Sequence, residues 1–525
     1  MVKPIHIRQR FVYAGVIGIL AVALALRLWD LTARPLWLDE AVEYWTATAP
    51  TAHLASTVRD VIQDPPLYSF LLHLWMSISS HETWVRLMSV CVGMAGVAGA
   101  MVIGHRLQGR ATAMAAGLLM AVLPVAVRYS QEVGQYAMVH CLVLWNLAVL
   151  VGLSREPSRR GFVRWTVLAV VAAYSYYGTV ITVLVPFACF MVESALQRDA
   201  VRLRRALWSL GAFVAAVLPL LVYFIPHQLR RGPTAEAFHA VAFQGAGEAL
   251  RIAGRSLQAT LAFQFTGWPC SRVPGWLTIT VFAVIVLLVF KRQRRVTIWF
   301  AATFLVYLGL NLFHIFPLGF RHSNILTALL VPLAAGAVTA RSEQRLSRVA
   351  GVVAFAVLCG LCVVSLPNRS LQEHVLEHTA CAWPETEDIA AVARYWMAHR
   401  APGQPTYVYY GAAPAFAYYA RQLGMEQTAR PPDWFQRCWR GEGERWCAEG
   451  GVYYGEWIRD LAPEQKLESI FATMGGMPDE FWMILAHAKG GENITLARHL
   501  YQHYVFMDNF AATDASVVLV RRRAR

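Results

Sequence analysis

The stretch Arg34-Pro-Leu-Trp-Leu-Asp39-Glu40-Ala-Val-Glu-Tyr-Trp45 directly follows an apolar run, residues 11–29. It sets two carboxylates just outside a hydrophobic helix. A second acidic turn, Asp64-Pro-Pro-Leu-Tyr68, stands at the mouth of another apolar run. Carboxylates at a membrane edge are costly unless something pairs or uses them. Read alone, Asp39 and Glu40 are accounted for as caps of a short interfacial helix, because acids favour helix starts. The rest of the chain decides between a cap and a site.

Of 525 residues, 57% are hydrophobic and only 15% charged. That balance excludes an ordinary soluble globule and points to a polytopic membrane protein. The formal charge of +14 does not call for nucleic acid, because the basic residues sit in short clusters between apolar runs, as the positive-inside rule requires. The first run follows Lys3, Arg8 and Arg10, is too long for a signal-peptide core and precedes no small-residue cleavage site. It reads as a retained span.

Candidate spans lie at residues 11–29, 84–106, 111–128, 135–153, 162–177, 178–195, 206–225, 275–290, 296–316, 323–340 and 349–366. The run 67–79 is only about 20 Å long as a helix, short of a hydrocarbon core of about 30 Å, and reads as a partial or interfacial helix. The clusters Arg106/Arg110, Arg155/Arg159/Arg160/Arg164, Arg198/Arg202/Arg204/Arg205, Lys291/Arg292/Arg294/Arg295 and Arg341/Arg345/Arg348 then all fall on the cytoplasmic side with the N-terminus. The acidic loop 30–66, the Glu132 turn, the loop 226–274 and the C-terminal region all fall outside. This parity gives about eleven spans. Within the outer loop, residues 237–265 are patterned as an amphipathic helix lying on the outer surface.

Beyond Pro367 the apolar runs shorten. Residues 406–410, 481–486 and 516–520 read as strands, and 385–399, 414–423, 463–474 and 493–501 as helices. The expected fold is therefore a polytopic α-helical membrane protein with a C-terminal extracytoplasmic α/β domain. Residues 1–366 form the transmembrane domain, with outer loops 30–66 and 226–274, and residues 367–525 the outer domain. Cys91, Cys141, Cys189, Cys359 and Cys362 fall in spans as small apolar fillers. Of the outer cysteines, Cys438 and Cys447 are the natural local disulfide, which leaves Cys270 and Cys381 to tie loop to domain. A metal site is the weaker reading of these four, since no CxxC or HxxxH spacing accompanies them.

Two more features reach the outer face: Arg128-Tyr-Ser-Gln-Glu132-Val-Gly-Gln-Tyr136, between two spans, and Arg321-His322. Each has a bland reading. Arg321 can snorkel to headgroups, as Arg27 and Arg86 near span ends can, and Glu132 can pair with Arg128. Jointly, carboxylates and an arginine reaching one surface from separate parts of the chain make a candidate site.

These residues also carry a resemblance. Trp37-Leu-Asp39-Glu40 after the first span resembles the first-loop motif of the protein O-mannosyltransferase-like glycosyltransferases of the GT-C superfamily. Asp64-Pro-Pro-Leu-Tyr68 with Leu71-Leu-His-Leu-Trp75 resembles their second loop motif. Tyr129 to Tyr136 is similar to their Ser-Gln-Glu-Ala-Arg-x-Tyr turn, and Arg321 before the Pro332-containing span to their late Arg-Tyr motif. Gly134 stands where the family usually has Arg, and His322 where it often has Tyr. The resemblance implies a GT-C-like fold and transfer of a sugar from a polyprenyl-phosphate donor to a cell-surface lipid, glycan or protein acceptor. It implies Asp39 and Glu40 as catalytic residues, Asp39 being the base. Asp64, Glu132, Tyr136, Arg128, Arg321 and His322 would bind substrate, Arg321 on the phosphate. A carboxylate trio of Asp39, Glu40 and Glu132 suits Mg²⁺ or Mn²⁺, but the mannosyltransferase branch implies metal-independent chemistry, so no cofactor is expected. Expected partners are the lipid-linked sugar, membrane lipids and the surface acceptor, with no nucleic acid. The expected location is the inner (plasma) membrane, multi-pass, with a cytoplasmic N-terminus. The rival class is a lipid or sugar transporter or flippase, which places ionisable residues mid-span and often shows repeats; here the spans are nearly free of acids.

Overall fold

The computed structural model describes residues 4–229, 246–266, 275–313, 315–317, 321–339, 345–366, 387–425, 448–456, 458, 461–488 and 492–524. Cys270, Cys381, Cys438 and Cys447 lie outside them, and so do the expected disulfides. The described chain forms two compact units. One comprises Met1–Leu31, Gln63–Tyr68 and Thr83–Cys381; the other comprises Thr32–Ile62, Ser69–Glu82 and Ala382–Arg525. The first-loop segment carrying Asp39 and Glu40 thus packs with the C-terminal domain.

The first unit is helical because its segments are apolar over a bilayer's width and must satisfy their own backbone groups. Among the described residues, seven helices are long and apolar enough to cross a membrane, and the bent pair Arg110–Val122 and Pro124–Ser130 makes up to eight. The protein is a multi-pass membrane protein. The remaining expected spans correspond to shorter helices, Arg159–Ser175, Trp276–Phe290 and Arg348–Val364. Helix Leu67–Met76 has 10 residues, about 15 Å at 1.5 Å per residue. The expected break between residues 290 and 296 is a kink at Gln293 inside Gly275–Leu312.

Hydrogen bonds sort the two ends of this unit. At one end arginines from the basic clusters reach carbonyls of neighbouring helices: Arg106 to Ala148, Arg155 to Leu107, Arg205 to Pro157 and Arg292 to Thr339, while Arg295 pairs with Glu193. Of these carbonyls, those of Leu107 and Thr339 lie at the ends of their helices, where no intrahelical donor reaches them. The opposite end carries the turns around Asp64, Gln131, Tyr176 and His322.

Two expectations change here. Arg27 and Arg86 do not snorkel; they are 0% and 1% exposed. Pro124 has no N–H to give the Met120 carbonyl, and the chain bends by 61° at that break. Arg27 supplies the missing donors, from Nη2 to Met120 O at 3.1 Å, from Nη1 to Ala121 O at 3.3 Å and from Nε to Ser130 Oγ at 3.1 Å. Gln131 returns the bond, donating to Trp29 O at 2.7 Å. A Cβ at Gly93 would lie 2.1 Å from Ser130 Oγ, so only glycine admits this approach. Arg86 donates to Leu31 O at 2.7 Å. The second change concerns the outer-loop helix, which spans Ala246–Thr266. Leu261, Phe263, Gln264 and Phe265 are buried, so its end enters the protein instead of lying on a surface; Gln264 donates to Ser323 Oγ at 3.0 Å.

The second unit contains a six-stranded sheet, order β2-β3-β1-β4-β6-β5, with β1 Thr406–Val408, β2 Ala448–Glu449, β3 Val452–Tyr454, β4 Glu480–Ala486, β5 Tyr504–Ala512 and β6 Ala515–Arg522. Strands β3, β1 and β4 are parallel, and β2, β6 and β5 add antiparallel margins. After Glu480, β4 is an unbroken, buried apolar run, as a central strand covered on both faces must be. β5, at the edge, alternates between buried or half-buried and exposed. Helices Ile389–His399, Ala413–Gln422, Pro463–Thr473 and Glu492–His503 complete the α/β domain.

Candidate active site

In the first unit, Asp64 is gripped from two other helix ends. Gln135 Nε2 donates to Asp64 Oδ2 at 2.8 Å, and Gln228 Nε2 to the Asp64 carbonyl at 3.1 Å. Tyr177 donates to Gln228 Oε1 at 2.6 Å. Gln228 reaches this position after Pro219, where the helix passes through a π turn at Leu220–Phe224. Proline removes one backbone donor, and the wider turn re-registers the helix behind it.

The neighbouring Tyr176 shares a hydrogen bond of 2.7 Å with His322 Nδ1. Burial first, then the Asp64 carboxylate, hold the Tyr176 phenol well above its ordinary range, against the opposing pull of Arg321. The phenol therefore stays neutral. Tyr136 lies within electrostatic reach of Arg321, Tyr176, Asp64 and Tyr129, and its ring is 5.7 Å from that of Tyr176 and 4.7 Å from that of Tyr129. Arg321 and His322 open a 3-10 turn, Arg321–Leu326. Asn324 in that turn is fixed by His140 at 2.9 Å. A Cβ at Gly178 would lie 2.6 Å from Tyr176 and 2.8 Å from Tyr307 Oη, so this glycine is what lets the aromatic rings close up.

The structure thus brings Asp64, Tyr136, Arg321 and His322 into one neighbourhood. Arg128 and Glu132 are buried at 4% and 6% exposure in the adjoining turn, and a Cβ built at Gly134 lies 3.6 Å from Glu132 Oε1. Sequence reading missed Gln135, Gln228, Tyr176 and Tyr177. Gln135 lies inside the quoted Tyr129–Tyr136 turn, and Tyr176 and Tyr177 inside the expected outer turn. Neutral side chains there carry no charge to mark them in the sequence.

Asp39 and Glu40 belong to the second unit, in helix Leu38–Ala47. Glu40 is 3% exposed, and its Oε2 accepts the Trp37 N–H at 3.4 Å. That is the reach-back of a capping glutamate at the third helical position. Asp39 is half-buried. Glu43, also missed, is buried and accepts from Ser69 Oγ at 2.9 Å.

Residues 63–225 match the family of the dolichyl-phosphate-mannose-protein mannosyltransferases. The match takes in the Asp64 turn and the Tyr129–Tyr136 turn. No curated protein sequence matches the chain significantly. Among solved structures, ArnT from Cupriavidus metallidurans bound to undecaprenyl phosphate superposes with a TM-score of 0.56 at 13% identity, over 96% of this chain and 97% of ArnT. The oligosaccharyltransferase of Archaeoglobus fulgidus, in a complex with Zn and sulfate, gives 0.52 at 11% identity, over 96% of this chain and 72% of its own. At such identities the likeness is one of fold. Residues 63–225 thus resemble the dolichyl-phosphate-mannose-protein mannosyltransferases, and the chain shares the fold of these two solved structures.

Proposed function

We propose that the protein is an integral-membrane glycosyltransferase that moves a sugar from a polyprenyl-phosphate donor to a cell-surface lipid, glycan or protein acceptor, with inversion at the anomeric carbon. The observation that carries this reading is the Asp64 neighbourhood: a carboxylate fixed by Gln135 and Gln228, beside tyrosines that feel both Asp64 and Arg321. Undecaprenyl phosphate in the ArnT structure of like fold supports the donor class. In this reading Arg321 holds the phosphate through charge-assisted hydrogen bonds that strengthen as the leaving group gains charge. Asp64, Glu132, Arg128, Tyr136 and His322 bind and orient the sugar and acceptor hydroxyls. Asp39 takes the acceptor proton as the new C–O bond forms and the bond from anomeric carbon to phosphate oxygen breaks, releasing polyprenyl phosphate. Glu40 caps the helix that carries Asp39. The reading calls on no metal. The side with the arginine clusters is cytoplasmic, together with the N-terminus, and the C-terminal domain is extracytoplasmic. Buried Arg27 does not favour the transporter reading, because its guanidinium is engaged by the carbonyls of the bent helix.

The test is mass spectrometry of surface glycans and lipids from cells with and without the protein, followed by turnover of purified protein with polyprenyl-phosphate sugars and an envelope extract. A hexose or pentose missing from one surface component, together with released polyprenyl phosphate, is the expected result. Identical surface profiles and no release would end the proposal.

A further inference from the structure

The C-terminal domain takes no part in the chemistry just described, yet its helix Ala413–Gln422 engages the segment that carries Asp39 and Glu40. The Leu36 N–H donates to Tyr419 Oη at 2.7 Å, and the same hydroxyl donates to Glu82 Oε2 at 3.0 Å. At the other end of helix Leu38–Ala47, Trp45 Nε1 donates to the Pro414 carbonyl at 3.0 Å. The Arg421 guanidinium lies 4.4 Å from the Trp45 ring centre. Tyr44 meets Tyr418 edge to face at 4.9 Å. Positions 414, 418 and 421 follow the i, i+4, i+7 spacing of one helix face.

We propose that helix Ala413–Gln422 is the positioning element of the loop that carries Asp39 and Glu40, with Tyr419 as its positioning residue. The inference rests on the reaction role given above to that loop. An N-terminal first turn has orphan N–H groups and frays readily. Here the Trp37 N–H is capped by Glu40, and the Leu36 N–H ahead of it is taken by Tyr419. Because Tyr419 donates to a carboxylate, its oxygen is polarised and becomes a better acceptor for Leu36. Asp39 stands between two anchored points, Leu36 and Trp45. A base must be held within a fraction of an ångström of its working position, and a shift of 1 Å costs up to about 100-fold in rate.

The experiment compares the full-length purified protein with its Tyr419→Phe variant, which keeps the ring and loses both hydrogen bonds. Amide exchange over residues 36–47 is expected to rise about tenfold, and kcat to fall about tenfold at unchanged donor KM, the scale of one lost hydrogen bond. In an Asp39→Asn background Tyr419→Phe should add no further loss, since the base it positions is already gone. Unchanged exchange at 36–47, unchanged kcat, or full additivity with Asp39→Asn overturns the proposal. If Tyr419→Phe fails to fold, Glu82→Gln serves. It keeps an acceptor but removes the charge that polarises Tyr419, so kcat should fall about threefold at unchanged donor KM; a wild-type kcat overturns the proposal. If no glycosyl transfer is found at all, the function proposed above fails, and exchange still decides the clamp. Faster exchange confined to 36–47 supports it, and loss of protection across the whole C-terminal domain overturns it.

Discussion

The Asp64 turn and the Asp39 helix both present carboxylates from short segments beside apolar helices, but they are built differently. Asp64 is held by amides at the ends of other long helices, Gln135 and Gln228. The helix bearing Asp39 is held by an α/β domain that begins more than three hundred residues later, through Tyr419 and the Pro414 carbonyl. The difference teaches where damage should appear. Loosening Asp64 disturbs the packing of the bundle that also gives the protein its stability. Loosening the Asp39 helix leaves the bundle intact and should appear chiefly in turnover.

The largest effect is expected at Asp39. Asp39→Asn keeps size and leaves the Glu40 cap in place, but it accepts no proton. Turnover should fall about 100- to 10,000-fold with donor binding retained, measured on the same purified samples. Near-normal turnover would remove Asp39 from the reaction and break the contrast. Next comes Arg321, at the Asp64 end. Arg321→Ala should cost about 100- to 1,000-fold in turnover, and Arg321→Lys somewhat less because it keeps charge and loses the planar fork. Equal activity of the alanine variant would make Arg321 a headgroup anchor. Gln135→Ala removes one donor from Asp64. A loss of about tenfold in turnover, with a lower unfolding temperature, is expected; a turnover loss with unchanged stability would erase the distinction between the two regions. The smallest effect belongs to Glu40→Gln. The amide oxygen still accepts from the Trp37 N–H, so turnover should stay within about threefold of wild type. A loss as deep as that of Asp39→Asn would place Glu40 in the reaction.

The sequence by itself determined the membrane character, the places of the helices and the segregation of arginines from the acidic turns. It did so because these properties are local: a segment in lipid must satisfy its own backbone, and charge bias at helix ends is written residue by residue. It also showed β1, β4 and β6, but not the two- and three-residue β2 and β3, too short to carry a pattern, nor β5, whose Asp508 and Asn509 disfavour a strand in isolation and are tolerated at a sheet edge. The burial of Arg27 was hidden, because an arginine near a span end looks the same whether it snorkels or serves a carbonyl freed by Pro124. Only the tertiary structure decided what holds Asp64, with partners 71 and 164 residues away, and what holds Leu36, whose partner is 383 residues away. Glutamine amides and tyrosine hydroxyls leave no periodicity and no charge pattern in a sequence. Their pairing exists only once helix bends, a π turn and a sheet domain have set the register between distant segments.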